Sequence, residues 1–198
     1  MSNSAVTNIL VAGIGGQGVM TAAEILATTA MSQGLDVKKT EVAGMAQRGG
    51  VVTSHVRFGE KVLSPSIPPG EAEILLAFEP AEALRWSSHL KTDGLVMVNT
   101  FAQQPPVVSI GLFDYPDDPI SDLKELPLEL HHYDAGHAAI DLGDRRLINS
   151  IMLGAVANHL PFPAETLLEN VLKRFQHKGE TLVQLNHQAF SLGQEAFS

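Results

Sequence analysis

Apolar residues along this chain fall into short unbroken runs and into stripes at helical spacing, and the two kinds of segment alternate. Ile9 to Ala12 is a brief apolar run that ends at glycines, the form of a strand buried on both faces. From Gln17 to about Gln33 the period changes to that of a helix. Val19, Ala22, Ala23, Leu26, Ala27 and Ala30 share one side, and so many alanines let the helix lie close to a sheet. Gly34 stands where a left-handed C′ residue ends a helix. Leu35 to Glu41 predicts a second strand, which completes a βαβ unit of about 30 residues.

The alternation then breaks. Val51 to Phe58 is rich in β-branched residues, Gly59-Glu60 reads as a hairpin turn, and Lys61 to Leu63 reads as its return strand. Pro65, Pro68, Pro69 and Gly70 exclude a helix there. Ile74 to Phe78 is another buried strand, Pro80 suits the first turn of a helix running to about Leu90, and Gly94 to Asn99 is a further buried strand. Between Thr100 and His132 scattered prolines weaken the pattern, and short strands are expected near Val107–Ile110 and Glu129–Tyr133. Three stripes fill the last third: Ile148, Ile151, Met152, Ala155 and Val156; Leu168, Val171, Leu172 and Phe175; Leu182, Leu185, Ala189 and Leu192. The pattern predicts an α/β, Rossmann-like three-layer fold with a mostly parallel sheet, a β-hairpin excursion and a helical C-terminal third. No repeat or linker divides it, so residues 1–198 are expected to form a single domain.

Charge narrows the function. The net charge is −9, and basic residues are scattered, with Lys38–Lys39 and Arg145–Arg146 the tightest pairs. A phosphate-tracking stripe for nucleic acid is not expected. Charged residues are 18% of the chain, below the roughly 25% usual for soluble domains, so part of the surface is expected to lie against another protein. There is no cysteine, which removes disulfides, thiolate-ligated iron–sulfur clusters and cysteine nucleophiles. The first residues lack the charged and apolar regions of a signal peptide, and no apolar run approaches the ~20 residues of a membrane span, so a cytoplasmic protein is expected.

Two glycine-rich segments carry the candidate chemistry. Gly13, Gly15 and Gly18, with Gly16 and Gln17 between them, give a G-x-G-x-x-G spacing after a strand and before a helix. Glycines there permit a tight turn and close backbone approach by an anion, and the following helix N-terminus favours negative charge. Glu41, 23 residues beyond Gly18, is placed to take a ribose hydroxyl if the ligand is a nicotinamide or flavin dinucleotide. Against that ligand, the second strand leads into a loop and not into a crossover helix. In that loop, Glu41 to Gly50, the glycines Gly44, Gly49 and Gly50 loosen the backbone around Met45 and Arg48. The Arg48 guanidinium fork suits a phosphate or carboxylate of a ligand, or an acid on a partner. The ligand- or partner-binding set is therefore Gly13, Gly15, Gly16, Gln17, Gly18, Glu41, Arg48, Gly49 and Gly50. The histidines form no H-E-x-x-H or H-x-H pattern, no G-x-S-x-G is present, and no P-loop lysine follows the glycines. No catalytic or metal-ligating residue is assigned.

Taken in order, G-I-G-G-Q-G-V from Gly13, E-V-A-G-M-A-Q-R-G-G from Glu41 and S-H-V-R-F-G from Ser54 resemble the gamma-type domain of 2-oxoacid:ferredoxin oxidoreductases. The M-A-Q-R-G-G wording looks most like the small beta subunit of indolepyruvate ferredoxin oxidoreductase. The resemblance continues through Glu71–Glu79, the strand ending at Asn99 and the N-S-I-M-L-G-A helix from Asn149, and is weakest over 103–146. It implies a subunit of a complex that oxidatively decarboxylates a 2-oxoacid, passes the acyl group to coenzyme A and reduces ferredoxin. Thiamine diphosphate, its Mg and the iron–sulfur clusters would reside in a large partner, leaving this chain with no cofactor of its own and inactive alone. A homodimer of the isolated chain is left open. Two other readings stand beside it: a free-standing dinucleotide-binding oxidoreductase, and a binding module outside any such complex.

Overall fold

A computed structural model describes residues 6–43, 50–104, 108, 111 and 114–197. The strands are β1 (Thr7–Ile14), β2 (Asp36–Ala43), β3 (Val51–Gly59), β4 (Ala72–Ala77), β5 (Leu90–Asn99) and β6 (Glu129–Tyr133). They form one sheet in the order β2-β3-β1-β4-β5-β6. β1, β4, β5 and β6 are parallel neighbours, while β3 runs antiparallel to both β1 and β2. The α/β, mostly parallel architecture expected from the sequence is present, and Glu129–Tyr133 is a strand with the expected bounds.

Two strand expectations are corrected. β1 and β2 are joined by a helix but are not neighbours, because β3 lies between them. The excursion hairpin is β2–β3, with Asp36 opposite Gly59 and Ala43 opposite Val52. It does not turn at Gly59-Glu60, and Lys61–Leu63 is irregular. The sequence explains both. β2 carries Asp36, Lys38, Lys39 and Glu41 and suits a solvated edge, where charges discourage further pairing. β3, with Val56 and Phe58 almost fully buried, suits the interior. Residues 61–66 then have their backbone held by side chains: Asp36 accepts from the Val62 N–H at 2.8 Å, and Arg57 donates to the carbonyls of Ser64 and Ser66. Of the strand expected at Val107–Ile110, only Val108 is described, and it is helical.

The helices are α1 (Val19–Ser32), α2 (Pro80–Trp86), α3 (Pro119–Lys124), α4 (Ala135–Asp141), α5 (Ile148–Ala157), α6 (Ala164–Phe175) and α7 (Glu180–Ala196). Successive residues of β1 feed opposite cores, as the two-residue period of a strand requires. Ile9 and Val11 join α1, α5, α6 and α7 on one face. Leu10 and Ala12 join Ala83 of α2 and Leu123 of α3 on the other. The alanines of α1 are buried as expected, and Gly34, at φ +77°, closes the helix in a Schellman motif. Its N–H reaches the Met31 carbonyl at 3.0 Å, and the Leu35 N–H reaches that of Ala30 at 3.3 Å.

Candidate functional site

β1 delivers the glycine turn to the carboxyl edge of the sheet. A Cβ on Gly13 would lie within 3.0 Å of Gln17, Val19 and Phe78, so this glycine serves close packing. Gly16 and Gly18 have φ of +101° and +89°, which side chains rarely tolerate. α1 starts at Val19 with no side-chain cap and no acid in its first turn. The Gly15 N–H donates to the Gly50 carbonyl at 2.8 Å, so the end of the second glycine segment does abut the first. Arg48 and Gly49 lie outside the described residues. Glu41 does not join them: it sits on the edge strand, paired with Lys39 at 2.7 Å.

Helix α1 packs on one face and α2 on the other, which makes the gap between the carboxyl ends of β1 and β4 the topological switch point. That is the usual place for a dinucleotide in such sheets. Here the protein's own side chains fill it. Gln17, 8% exposed, accepts from the Ile14 N–H at 2.7 Å and donates to the Phe78 carbonyl at 3.2 Å. Asn99 donates to the same carbonyl at 2.9 Å and accepts from the N–H groups of Phe101 and Gly136. Glu79 is completely buried, caps α2 through the Glu82 N–H at 3.0 Å, and accepts a hydrogen bond from the Tyr115 hydroxyl. Burial pushes the Glu79 carboxyl above its usual range, against the pull of Tyr115 and of backbone N–H donors. Burial and the Glu79 carboxylate likewise push the Tyr115 hydroxyl up. Gln17 is thus a buried plug of the turn.

The open space lies to the α1 side. A cleft of about 530 Å³ runs over Gly16, Gln17, Gly18 and Thr21 toward the start of α5 and the end of α6. Among the described residues its lining holds four cations, Arg145, Arg146, Arg174 and Lys178, and no carboxylate. Arg146 is paired with Asp144 at 2.6 Å. Arg145 donates to Gln103 at 3.1 Å, and among the described residues no ion pair engages Arg145, Arg174 or Lys178. Asn149, only 7% exposed, stands in the wall; its Nδ2 donates to the Gly18 carbonyl at 2.8 Å, while its Oδ1 has no partner. Sequence reasoning missed this wall, because its residues are distant in the chain. The available signal was polar Asn149 and Ser150 within an otherwise apolar helical stripe. Among the described residues no group of three or more histidines and carboxylates is placed to hold a metal, and no helix is long and apolar enough to cross a membrane.

Comparison with known proteins places this geometry. Residues 8–196 match the family model described as pyruvate ferredoxin/flavodoxin oxidoreductase. An indolepyruvate oxidoreductase subunit IorB from Pyrococcus horikoshii is 38% identical over 196 residues, covering 96% of this chain and 95% of that protein. The fold resembles a keto/oxoacid ferredoxin oxidoreductase gamma subunit from Geobacter sulfurreducens, with TM-score 0.69 and 23% identity, covering 96% of this chain and 97% of that one. It also resembles part of a 2-oxoglutarate:ferredoxin oxidoreductase from Magnetococcus marinus solved with 2-oxoglutarate, coenzyme A and succinyl-CoA bound. There the TM-score is 0.76 at 20% identity, and 96% of this chain spans 31% of that longer one.

Proposed function

The chain belongs to the pyruvate ferredoxin/flavodoxin oxidoreductase family, and on that premise we propose that residues 1–198 act as one gamma-type domain. It is the small non-cluster subunit of a cytoplasmic 2-oxoacid:ferredoxin oxidoreductase that uses indolepyruvate or a related aryl pyruvate. The near full-length similarity to indolepyruvate oxidoreductase subunits carries this reading. In the complex the 2-oxoacid loses its carboxylate as CO2, the acyl group passes to the thiol of coenzyme A, and the electron pair left behind reduces ferredoxin. Thiamine diphosphate with its Mg, and the iron–sulfur clusters, belong to a large partner subunit. The residues of this chain do not fit those groups, since no cysteine is available to a cluster and the described carboxylates and histidines do not converge. Arg48, Gly49 and Gly50 are assigned to the contact with the partner or coenzyme A; of the three, Gly50 accepts from the Gly15 N–H of the glycine turn.

The filled gap between β1 and β4 weighs against the free-standing dinucleotide enzyme. The test is reconstitution. The purified chain should be colourless and silent in 2-oxoacid-dependent dye reduction, and co-expression with a large thiamine- and cluster-bearing subunit should restore activity, with indolepyruvate preferred over pyruvate and 2-oxoglutarate by kcat/KM. Turnover by the lone chain would overturn the subunit reading; a preference for another 2-oxoacid would overturn only the substrate.

A further inference from the structure

β2 closes one side of the sheet, and among the described residues no strand pairs with its outer row of backbone N–H and C=O groups. We propose that a second copy of this chain does so, antiparallel, about a two-fold axis that passes beside Thr40. The inference rests on this chain alone and not on its role as a subunit. Charges on an edge strand exclude a partner of arbitrary sequence, but those of β2 are ordered to accept its own copy. An axis normal to the sheet keeps every side chain on its own face, so Thr40 meets Thr40, Lys39 meets Glu41, Lys38 meets Val42 and Val37 meets Ala43. Each Lys39 then stands opposite Glu41 of the second copy, in a ring of four alternating charges on the α1 face. There Lys39 already holds Glu24 at 2.8 Å and Glu41 of its own chain at 2.7 Å. On the other face the Lys38 stem lies against Val42, which the single chain leaves 56% exposed. Sliding the strands by two residues sets Lys39 opposite Lys39 in one direction and Glu41 opposite Glu41 in the other, and both are unfavourable. The order of charges along β2 therefore selects one register.

The flanks of the same edge are apolar. Six large apolar side chains are exposed among the described residues, and four of them border β2. Val42 is on the strand itself. Leu63 follows Val62, whose N–H is held by Asp36 at the start of β2. Met20 and Met31 share one exposed stripe of α1 with Glu24 and Thr28, and Glu24 ties that stripe to Lys39. The axis brings the stripes of both copies to the same side of the joined sheet. Methionine, which adapts to irregular contacts, thus flanks the charged ring from each copy. Clustered apolar groups rimmed by polar ones mark contact with another protein. A different partner would account for the methionines but not for the self-matching order Lys39, Thr40, Glu41.

The experiment is sedimentation equilibrium of the purified full chain, in which the wild type should have the mass of two copies. Lys39→Glu lines the axis with acids and Glu41→Lys lines it with bases, so each variant alone should be monomeric. Their equimolar mixture should recover the dimer, because every lysine again faces a glutamate. The chain has no cysteine, so Thr40→Cys adds a single thiol beside the axis, at a separation a disulfide can span, and mild oxidation should link two copies. Lys38→Cys places its two thiols roughly 14 Å apart in the same register and should stay unlinked. A wild-type chain that is monomeric at millimolar concentration overturns the proposal, and so does a dimer that survives both charge variants. A mixture that stays monomeric, or linking at Lys38→Cys as readily as at Thr40→Cys, overturns it as well, since either denies the register. Should a charge variant fail to fold, the two cysteine variants still decide.

Discussion

Helices α5 and α7 come into backbone contact at two glycines, and replacing either should destabilise the domain in a way that can be sized from the structure. A Cβ added at Gly154 would lie 2.0 Å from the Phe190 carbonyl oxygen, and one at Gly193 would lie 1.9 Å from that of Ile151. Carbon and carbonyl oxygen tolerate about 3.3 Å, so Gly154→Ala must part the helices by roughly 1.3 Å. The colliding atoms are backbone, which a rotamer change cannot move. Phe190, Ile151 and Val156 pack around the seam almost without exposure and would be loosened together. Overpacking of this kind costs up to about 3 kcal/mol, and alanine's better helix propensity returns about 1 kcal/mol. The net loss is about 2 kcal/mol, which for a chain of this size lowers Tm by roughly 4–8 °C.

Thermal and urea unfolding followed by circular dichroism would measure it. Gly193→Ala should cost a similar amount. The double variant should cost clearly less than the two combined, since one parting of the helices accommodates both methyls. A Tm equal to or above wild type in either single variant would show that the helices separate without penalty and would refute the close-contact argument. Strict additivity would refute the shared seam.

Gln17→Ala should lose roughly 1–3 kcal/mol, because the Ile14 N–H loses its buried partner while the Phe78 carbonyl keeps Asn99; a urea midpoint unchanged from wild type would show that Gln17 is not a plug. Gly18→Ala should destabilise through its φ of +89° and through collision with Asn149 Nδ2 at 2.3 Å. Adding Asn149→Ala should recover part of that loss, and no recovery would place the whole cost in the backbone. For Glu79, burial raises the native value above the ordinary 4.5, so the native state keeps this proton to higher pH than the unfolded chain does. Its favourable contribution is therefore complete below about pH 4.5 and declines as pH rises through the raised native value. The stability difference between wild type and Glu79→Gln should shrink or reverse over that rise, and a difference independent of pH would mean that Glu79 ionises as it does in water.

The parts of the fold legible in the sequence were those whose signal is local. The run before Gly13, the alanine stripe of α1, the Schellman glycine and the proline opening α2 each dictate their own conformation, and each is found where expected. Strand order is not local. Nothing within Val51–Phe58 states that it inserts between β1 and β2; that follows from the charged β2 being a better edge than the apolar β3, a comparison between segments. The turn at Gly59-Glu60 failed for a related reason. The expected return strand had backbone groups that Asp36, from the start of β2, and the Arg57 side chain were positioned to satisfy. At the site, the glycine turn was legible as a turn, but Gln17 was not legible as a plug, because the Phe78 carbonyl that it ties to the turn follows a strand some 60 residues further on.

The insertion of β3 changes what the glycine turn can do. In a dinucleotide-binding βαβ unit the acid after the second strand lies one strand spacing from the turn, within reach of the ribose of the nucleotide whose pyrophosphate the turn holds. With β3 interposed the separation becomes two spacings, or roughly 10 Å across the sheet, and Glu41 is engaged by Lys39 at the rim. The same insertion sets the strand next to β1 on that side antiparallel, so no helix follows it to wall a crevice there. On the other side of β1 the gap to β4 is closed by Gln17, Glu79 and Tyr115. Among the described residues, an open approach to the uncapped start of α1 runs over Gly16 and Gly18, where α5 and α6 supply the opposite wall. A turn with the spacing of a dinucleotide site is thereby aimed away from the sheet and into a cleft whose charge is set by residues 145–178. Its chemistry depends on the C-terminal helices more than on the glycine motif itself.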